Sequence, residues 1–111
     1  MKQTANYSSF EELDVRVGRV VTVEDSRARK PTYRLTVDFG PEIGVKRSVG
    51  AYRNYRPDQL VGRLVVGIVN FGVKQMGPEL SEVLILGVEN DRGETIYLTP
   101  ESDAPLGTRV F

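Results

Sequence analysis

Hydrophobic and polar residues alternate with a period of two along three stretches of the chain, as expected of half-buried β-strands. The stretches cover residues 13–23, 33–39 and 43–49. Gly40 and Pro41 separate the second stretch from the third, and this pair predicts a turn. We therefore expect the second and third strands to form a hairpin.

The first stretch changes phase after Gly18, because Val20 and Val21 are adjacent apolar residues. A glycine beside a phase change indicates a β-bulge or a sharp bend. A long strand that bends in this way can take part in both halves of a small barrel.

Two runs, residues 64–69 and 83–88, are continuously apolar and predict strands that are buried on both faces. Residues 95–98 predict a further short strand, and residues 70–80 a connecting loop that contains Gly, Lys, Met and Pro. Two short helices are also indicated. Ser8 or Ser9 would cap the first, and the second would lie in the segment "YRPDQLVG" between strands 3 and 4.

These elements predict an all-β fold, a five-stranded OB-fold β-barrel with short helices at the N-terminus and between strands 3 and 4. An open β-sandwich is the alternative. At 111 residues, with 40% hydrophobic and 27% charged residues, we expect a single folded domain over residues 1–111.

The composition argues against most enzyme classes. The sequence contains no His and no Cys, which excludes zinc sites built from these ligands, His general bases and thiolate nucleophiles. It also lacks a recognisable catalytic motif and a phosphate-binding glycine loop. We expect a non-enzymatic protein with no cofactor, no metal site and no catalytic residues.

The hydropathy pattern gives an expectation for localisation. No apolar run approaches the roughly 20 residues that span a bilayer, and the first residues lack the apolar core of a signal peptide. We therefore expect a cytoplasmic protein with no membrane insertion.

Charge is unevenly distributed although the net charge is zero. Residues 26–56 hold eight basic and two acidic side chains, whereas residues 75–103 hold seven acidic side chains and one arginine. Such a distribution can produce a local basic patch on a neutral protein. An uneven but purely solvated surface would give the same counts.

Four segments in order, "LDVRVGRVVTVE", "VDFGPEIGVKRS", "YRPDQLVGRLVVGIVNF" and "LSEVLILG", resemble the OB-fold tRNA-binding domain family. Its members occur as stand-alone dimers and as appendages of methionyl-tRNA synthetases. The length and the segments "DFGPEIGVK" and "SEVLILG" are most similar to its branch of small bacterial and archaeal secretion chaperones. The resemblance implies a homodimer whose ligands are unfolded polypeptides or preproteins, or tRNA as in the other branch.

The segment "RSVGAYRNY" departs from the chaperone relatives, which tend to have a Ser-Ser-Ala-Gln type of sequence here. Val49, Gly50 and Ala51 therefore change the wall beside the expected cleft. For this reason, fine ligand specificity is not transferred from any relative.

The first candidate site is a basic face that combines cations for phosphates with flat rings for bases, as RNA-binding proteins do. Tyrosines that cover the barrel end, with their hydroxyls in water, are an equally good interpretation. Both interpretations stay open. The residues are Lys46, Arg47, Arg53, Arg56 and Lys74, with Tyr52 and Tyr55.

The second candidate is an apolar cleft for polypeptides, because adaptable apolar contacts suit a protein that binds many sequences. Its residues would be Phe71, Val73, Met76, Leu80 and Tyr52. For Phe71 and Leu80 we favour a structural role as core at the barrel end. For Met76 we favour ligand binding.

The third candidate is a polar group at the start of the last apolar run, Asn70, Lys74, Ser81 and Glu82. The resemblance implies that these positions hold nucleic acid or shape the loop. A carboxylate here needs a partner, and Lys74 or backbone N–H groups of the preceding loop are the candidates for Glu82. We favour the structural role, in which Ser81 and Glu82 hold the loop on the barrel.

The leading hypothesis is a homodimeric chaperone for unfolded polypeptides or preproteins. The apolar cleft would make the contacts, and the basic residues Lys46, Arg47, Arg53 and Lys74 would line its rim. The alternative is tRNA binding by the same basic face.

Overall fold

A computed structural model of the chain describes residues 1–27, 32–51 and 53–111. The described part contains short helices and nine strands. The helices are α1 (Tyr7–Glu11), α2 (Gly40–Ile43) and α3 (Pro57–Leu60), and the strands are β1 (Val15–Asp25), β2 (Tyr33–Asp38), β3 (Val45–Gly50), β4 (Leu64–Ile68), β5 (Lys74–Met76), β6 (Glu79–Ser81), β7 (Leu84–Ile85), β8 (Gly87–Glu89) and β9 (Thr95–Tyr97).

Five strands form an antiparallel sheet in the order β3-β2-β1-β4-β7. The long strand β1 serves both halves of this sheet, because its first part pairs with β4 and its second part with β2. Arg19 belongs to both ladders, opposite Leu64 in one and Asp38 in the other. The nearly closed sheet and the short helices confirm the predicted all-β OB-type barrel.

The bend in β1 is real, but its irregularity lies nearer the adjacent valines than the glycine. The register with β2 shifts between Val20 and Thr22. Gly18 has a different purpose, since a Cβ atom there would lie 2.8 Å from the ring of Phe39 and 2.7 Å from Val37. The glycine thus lets β1 approach the fully buried Phe39 at the centre of the core.

Residues 70–88 differ from the sequence-based prediction in two ways. The expected loop contains the antiparallel hairpin β5–β6. The expected continuous strand over residues 83–88 is divided into β7 and β8, and it is not buried on both faces, because Leu84 is 49% and Val88 53% exposed. The run is apolar, but alternate side chains leave the core, so the prediction of burial on both faces was wrong.

Two smaller details also differ. The N-cap of α1 is Asn6 rather than Ser8 or Ser9, and no side chain caps it. The turn expected at Gly40 and Pro41 is a single turn of helix, α2.

The chain end covers the edge of β1 that β4 leaves open. Backbone hydrogen bonds join Gly107 N–H to Val17 O at 2.8 Å and Val110 N–H to Val15 O at 2.8 Å. The buried Arg16 donates to Gly107 O at 3.0 Å and pairs with Asp14 at 2.6 Å. No helix in the described ranges is long and apolar enough to cross a membrane.

Candidate ligand-binding groove

An open groove of about 260 Å³ lies between the β5–β6 hairpin and β7. Its walls come from β3, from the segment after β4, from β5 and from residues 81–85. Most of the side chains are apolar, with two serines and one lysine among them. The lining residues are Ser48, Val49, Phe71, Gly72, Lys74, Met76, Ser81, Val83, Leu84 and Ile85.

Ser81 and Glu82 close the outer edge of β3, the end strand of the five-stranded sheet. Val49 N–H donates to Ser81 Oγ at 3.2 Å, and Ser81 Oγ donates to Val83 O at 3.3 Å. Glu82 Oε1 accepts from Arg47 N–H at 3.0 Å, while Glu82 N–H donates to Arg47 O at 2.7 Å. Both residues thus hold the segment after the hairpin against β3.

The partner of Glu82 is Arg47, not Lys74 or the preceding loop. The Arg47 side chain adds a contact from Nε to Glu82 Oε1 at 3.1 Å. Burial alone would raise the pKa of Glu82, but the backbone N–H, side chain and charge of Arg47, with the charge of Lys46, lower it below its ordinary value. Lys74 lies opposite Ser81 in the hairpin register. The sequence could not reveal this pair because 35 residues separate Arg47 from Glu82.

A second carboxylate, Glu79, fixes the other end of β6, and the sequence analysis did not identify it. Glu79 is only 6% exposed and accepts from Arg34 Nη1 at 3.1 and 3.2 Å and from Arg27 N–H at 3.3 Å. Burial raises its pKa, yet the N–H of Arg27, the charge of Arg34 and the hydroxyl of Ser26 lower it overall. Its position in "GPEL" resembles an ordinary turn, so the sequence contains no local signal of burial.

The predicted apolar residues are divided between two sides of the hairpin. Phe71 and Met76 line the groove, whereas Val73 and Leu80 do not. Cross-strand partners share a face, so Leu80, opposite Gln75, lies on the face away from Lys74 and Met76. Phe71 is 60% and Leu80 37% exposed, so their interpretation as barrel core was wrong. Tyr52 lies outside the described residues.

Asn70 holds the segment after β4 to the beginning of β1 and does not line the groove. Its Oδ1 accepts from Asp14 N–H at 2.8 Å, and its Nδ2 donates to Glu12 O at 2.9 Å. This geometry gives Asn70 a positioning role.

The arginines of the expected basic face are already paired within the chain. Besides Arg47, Arg53 forms an ion pair with Asp25 and lies 4.9 Å from the ring centroid of Tyr33. Arg56 pairs with Asp58 at 3.1 Å, with both side chains exposed. Lys46 and Lys74 form no ion pair with any residue in the described ranges. Of the candidate cations, only Lys74 lines the groove.

Tyr55 covers the barrel end and does not present a free ring. The ring stacks on Tyr97 with centroids 5.2 Å apart, and Arg63 lies 5.2 Å from its centroid. Its hydroxyl accepts from Tyr97 N–H at 3.3 Å, and its carbonyl accepts from Tyr33 at 2.9 Å. The geometry favours the structural interpretation for this residue.

Within the described residues, no cluster of acidic side chains is arranged to hold a metal ion.

Comparison with known families gives one clear result. Residues 15–109 match the family model of the putative tRNA binding domain. The chain belongs to this family. The resemblance inferred from the four sequence segments is therefore confirmed.

Sequence relatives of this tRNA-binding-family chain include methionine–tRNA ligases. The ligase of Archaeoglobus fulgidus is 38% identical over 98% of the chain and 16% of the ligase, and that of Methanocaldococcus jannaschii is 38% identical over 93% and 16%. The chain thus spans only a small fraction of these relatives.

Solved structures of the same fold include two chaperones named CsaA. The Bacillus anthracis chaperone has a TM-score of 0.90 at 36% identity, with 98% of this chain and all of that chain covered. The Picrophilus torridus chaperone has a TM-score of 0.92 at 36% identity, with 97% and 100% covered. These matches confirm the similarity to CsaA chaperones.

Proposed function

We propose that the chain is a non-enzymatic, CsaA-like chaperone that holds unfolded polypeptides or preproteins and acts as a homodimer. The observation that carries the proposal is the open groove, whose lining includes the exposed Phe71 and the half-buried Met76. Exposed apolar surface of this kind marks a binding site. The similarity to two CsaA structures over their full lengths supports the same function.

The way the groove is framed supports reversible binding of many sequences. Glu79 and Glu82 fix both ends of β6, so the hairpin needs little ordering when a ligand binds. Met76 supplies an unbranched, polarizable contact that adapts to different side chains. A rigid frame with adaptable contacts suits a protein that must accept varied clients.

A second apolar surface, the terminal surface, supports the homodimer. Its exposed apolar side chains are Tyr7, Phe10, Val110 and Phe111, and they surround a cavity of about 310 Å³ that Glu11, Asp14 and Arg109 also line. Helix α1 has no buried residue in a single chain. A second copy placed on this surface would bury these side chains and stabilise the helix.

The dimer is tested by light scattering coupled to size-exclusion chromatography. The wild-type chain should have twice the monomer mass, and Phe10→Ser combined with Tyr7→Ser should shift it to the monomer. Val61→Ser, which changes an exposed valine outside this surface, is the control. A wild-type monomer at micromolar concentration would contradict the homodimer.

Chaperone function is tested with a chemically denatured client whose aggregation is followed by light scattering. The wild-type protein should slow aggregation and bind extended apolar peptides. Phe71→Ser with Met76→Ser should remove both effects, while Val61→Ser should retain them. A wild-type protein that neither slows aggregation nor binds peptides would contradict the proposal.

The second candidate function is tRNA binding, which the family match and the methionine–tRNA ligase relatives support. Lys46 and Lys74 are the candidate phosphate contacts, because the arginines considered have carboxylate partners. Each phosphate contact contributes roughly one unit to the slope of log affinity against log salt. Lys46→Glu or Lys74→Glu should therefore weaken tRNA binding and reduce this slope.

A competition titration of tRNA against an unfolded client at two salt concentrations separates the two functions. Polypeptide binding by the apolar groove should change little with salt, whereas tRNA binding should weaken steeply. Undetectable or salt-insensitive tRNA binding would contradict the second function.

A single domain over residues 1–111, a cytoplasmic location and the lack of membrane insertion stay predictions.

A further inference from the structure

Two polar groups of the groove have no partner in the described part of the chain. Ser48 is only 2% exposed and lines the groove, yet its side chain makes no hydrogen bond to any described residue. Lys74 also lines the groove and forms no ion pair with a described carboxylate.

The two serines of the groove show why Ser48 is unusual. The hydroxyl of Ser81 both accepts from Val49 N–H and donates to Val83 O. The Ser48 hydroxyl makes no such bonds within the described residues, and it is not a sealed buried group, because the residue lines the open groove. Water satisfies such a hydroxyl when the groove is empty, and a ligand that displaces this water can accept the same hydrogen bond.

The charge that the described lining residues contribute to the groove is positive. Glu79 and Glu82 are the neighbouring carboxylates, but both are held by arginines and neither lines the groove. Lys74 is therefore the one charged side chain among the described residues that line the groove. An anionic group is favoured here and a cationic group is disfavoured.

We propose that the groove selects polypeptide segments in which an apolar residue stands next to an aspartate or glutamate. The apolar side chain packs against Phe71 and Met76, and the carboxylate pairs with Lys74. The hydroxyl of Ser48 donates to a backbone carbonyl of the segment. This selectivity rests on the proposed polypeptide-holding function and names its client chemistry.

Single-stranded RNA would meet the same groove less well. Of the ten lining residues within the described part of the chain, six are apolar, one is a cation that could meet a phosphate and one is an aromatic ring that could meet a base. RNA-binding grooves combine several cations with several stacking platforms. The observations thus favour a peptide, and RNA is an outcome that the experiment can detect.

The experiment uses three peptides of one extended sequence, acetylated and amidated so that their ends carry no charge. A central leucine is followed by Glu, Gln or Lys, and binding is measured by fluorescence anisotropy. The Glu peptide should bind about threefold to fivefold more tightly than the Gln peptide, as expected of one exposed ion pair. The Lys peptide should bind most weakly.

Variants assign the effect to the two groups. Lys74→Glu should reverse the order of the peptides, whereas Arg92→Gln, a charge change outside the groove, should keep it. Ser48→Ala should weaken the Glu and Gln peptides by the same factor, roughly fivefold, because the backbone acceptor is common to both.

The outcomes separate the selectivity from the function on which it rests. Equal affinities for the three peptides would overturn the selectivity and leave the chaperone function intact. No binding of any peptide would contradict both. Binding of a short single-stranded oligonucleotide that Lys74→Glu abolishes, without peptide binding, would replace the peptide with RNA as the occupant.

Discussion

The two sides of β3 are closed by different kinds of interaction. Towards β2, a regular ladder of six residue pairs joins the strands, and fully buried apolar side chains such as Val37 and Leu35 lie beneath it. Towards β6, β3 is contacted by the hydroxyl of Ser81 and by the carboxylate and backbone N–H of Glu82, while Glu79 at the other end of β6 pairs with Arg34 of β2. The barrel therefore depends on apolar packing, and the groove on individual polar side chains. It follows that the groove can be disrupted while the barrel stays folded.

The largest expected effect on stability comes from Phe39→Ala, which changes the apolar core of the barrel. Phe39 is fully buried, and Cβ atoms at Gly18 or Gly67 would contact its ring. Its truncation should lower the free energy of unfolding by about 3–5 kcal/mol, because the cavity adds to the lost burial. Urea denaturation followed by circular dichroism measures this loss. A change below about 1 kcal/mol would mean that the core repacks around the cavity.

On the groove side, Glu79→Gln tests whether the hairpin responds separately. The variant loses the ion pair to Arg34 while its amide keeps nearly the same shape. Peptide affinity should fall roughly tenfold, because part of the binding free energy must then be used to order the hairpin. The melting temperature should change by only a few degrees.

The control for this variant is Glu42→Gln, which removes a carboxylate that pairs with Arg16 away from the groove. It should leave peptide affinity unchanged. If Glu79→Gln unfolds the whole barrel, the hairpin is not an independent element. If affinity stays unchanged, Glu79 does not position the groove.

Lowering the pH should weaken the groove before it unfolds the barrel. The pKa values of Glu79 and Glu82 are both lowered in the folded chain, so their stabilisation is present above the ordinary carboxyl pKa. This stabilisation is lost as the pH falls through the pKa values that the two carboxyl groups have in the folded chain, below about pH 4.3. Affinity for the Gln peptide, which carries no titrating group of its own, should therefore fall within this window when it is measured between about pH 6 and pH 3.

Glu82→Gln provides the comparison for the acid experiment, because it removes one of the two titrating groups. Its pH dependence should be shallower than that of the wild-type protein. An equally steep curve would assign the acid effect to other carboxylates.

The barrel side could be predicted from sequence because it follows local periodicity. Alternation over residues 33–39 and the phase change near Val20 identified β2 and the bend in β1. The groove side could not, because its contacts join residues far apart in the chain, such as Arg34 with Glu79 and Arg47 with Glu82. Phe71 was misassigned for a similar reason, since apolar character alone does not distinguish core from exposed surface.

The smallest expected effect on stability concerns an ion pair that lies on neither side of β3. Arg56 and Asp58 are exposed and only two residues apart on α3 and its N-cap. Asp58→Asn should change the free energy of unfolding by less than about 0.5 kcal/mol, because solvent screens such pairs. The same urea titration measures it, and peptide affinity should equal that of the wild-type protein. A groove that responded to this change would mean that net charge, rather than the placement of Glu79 and Glu82, controls binding.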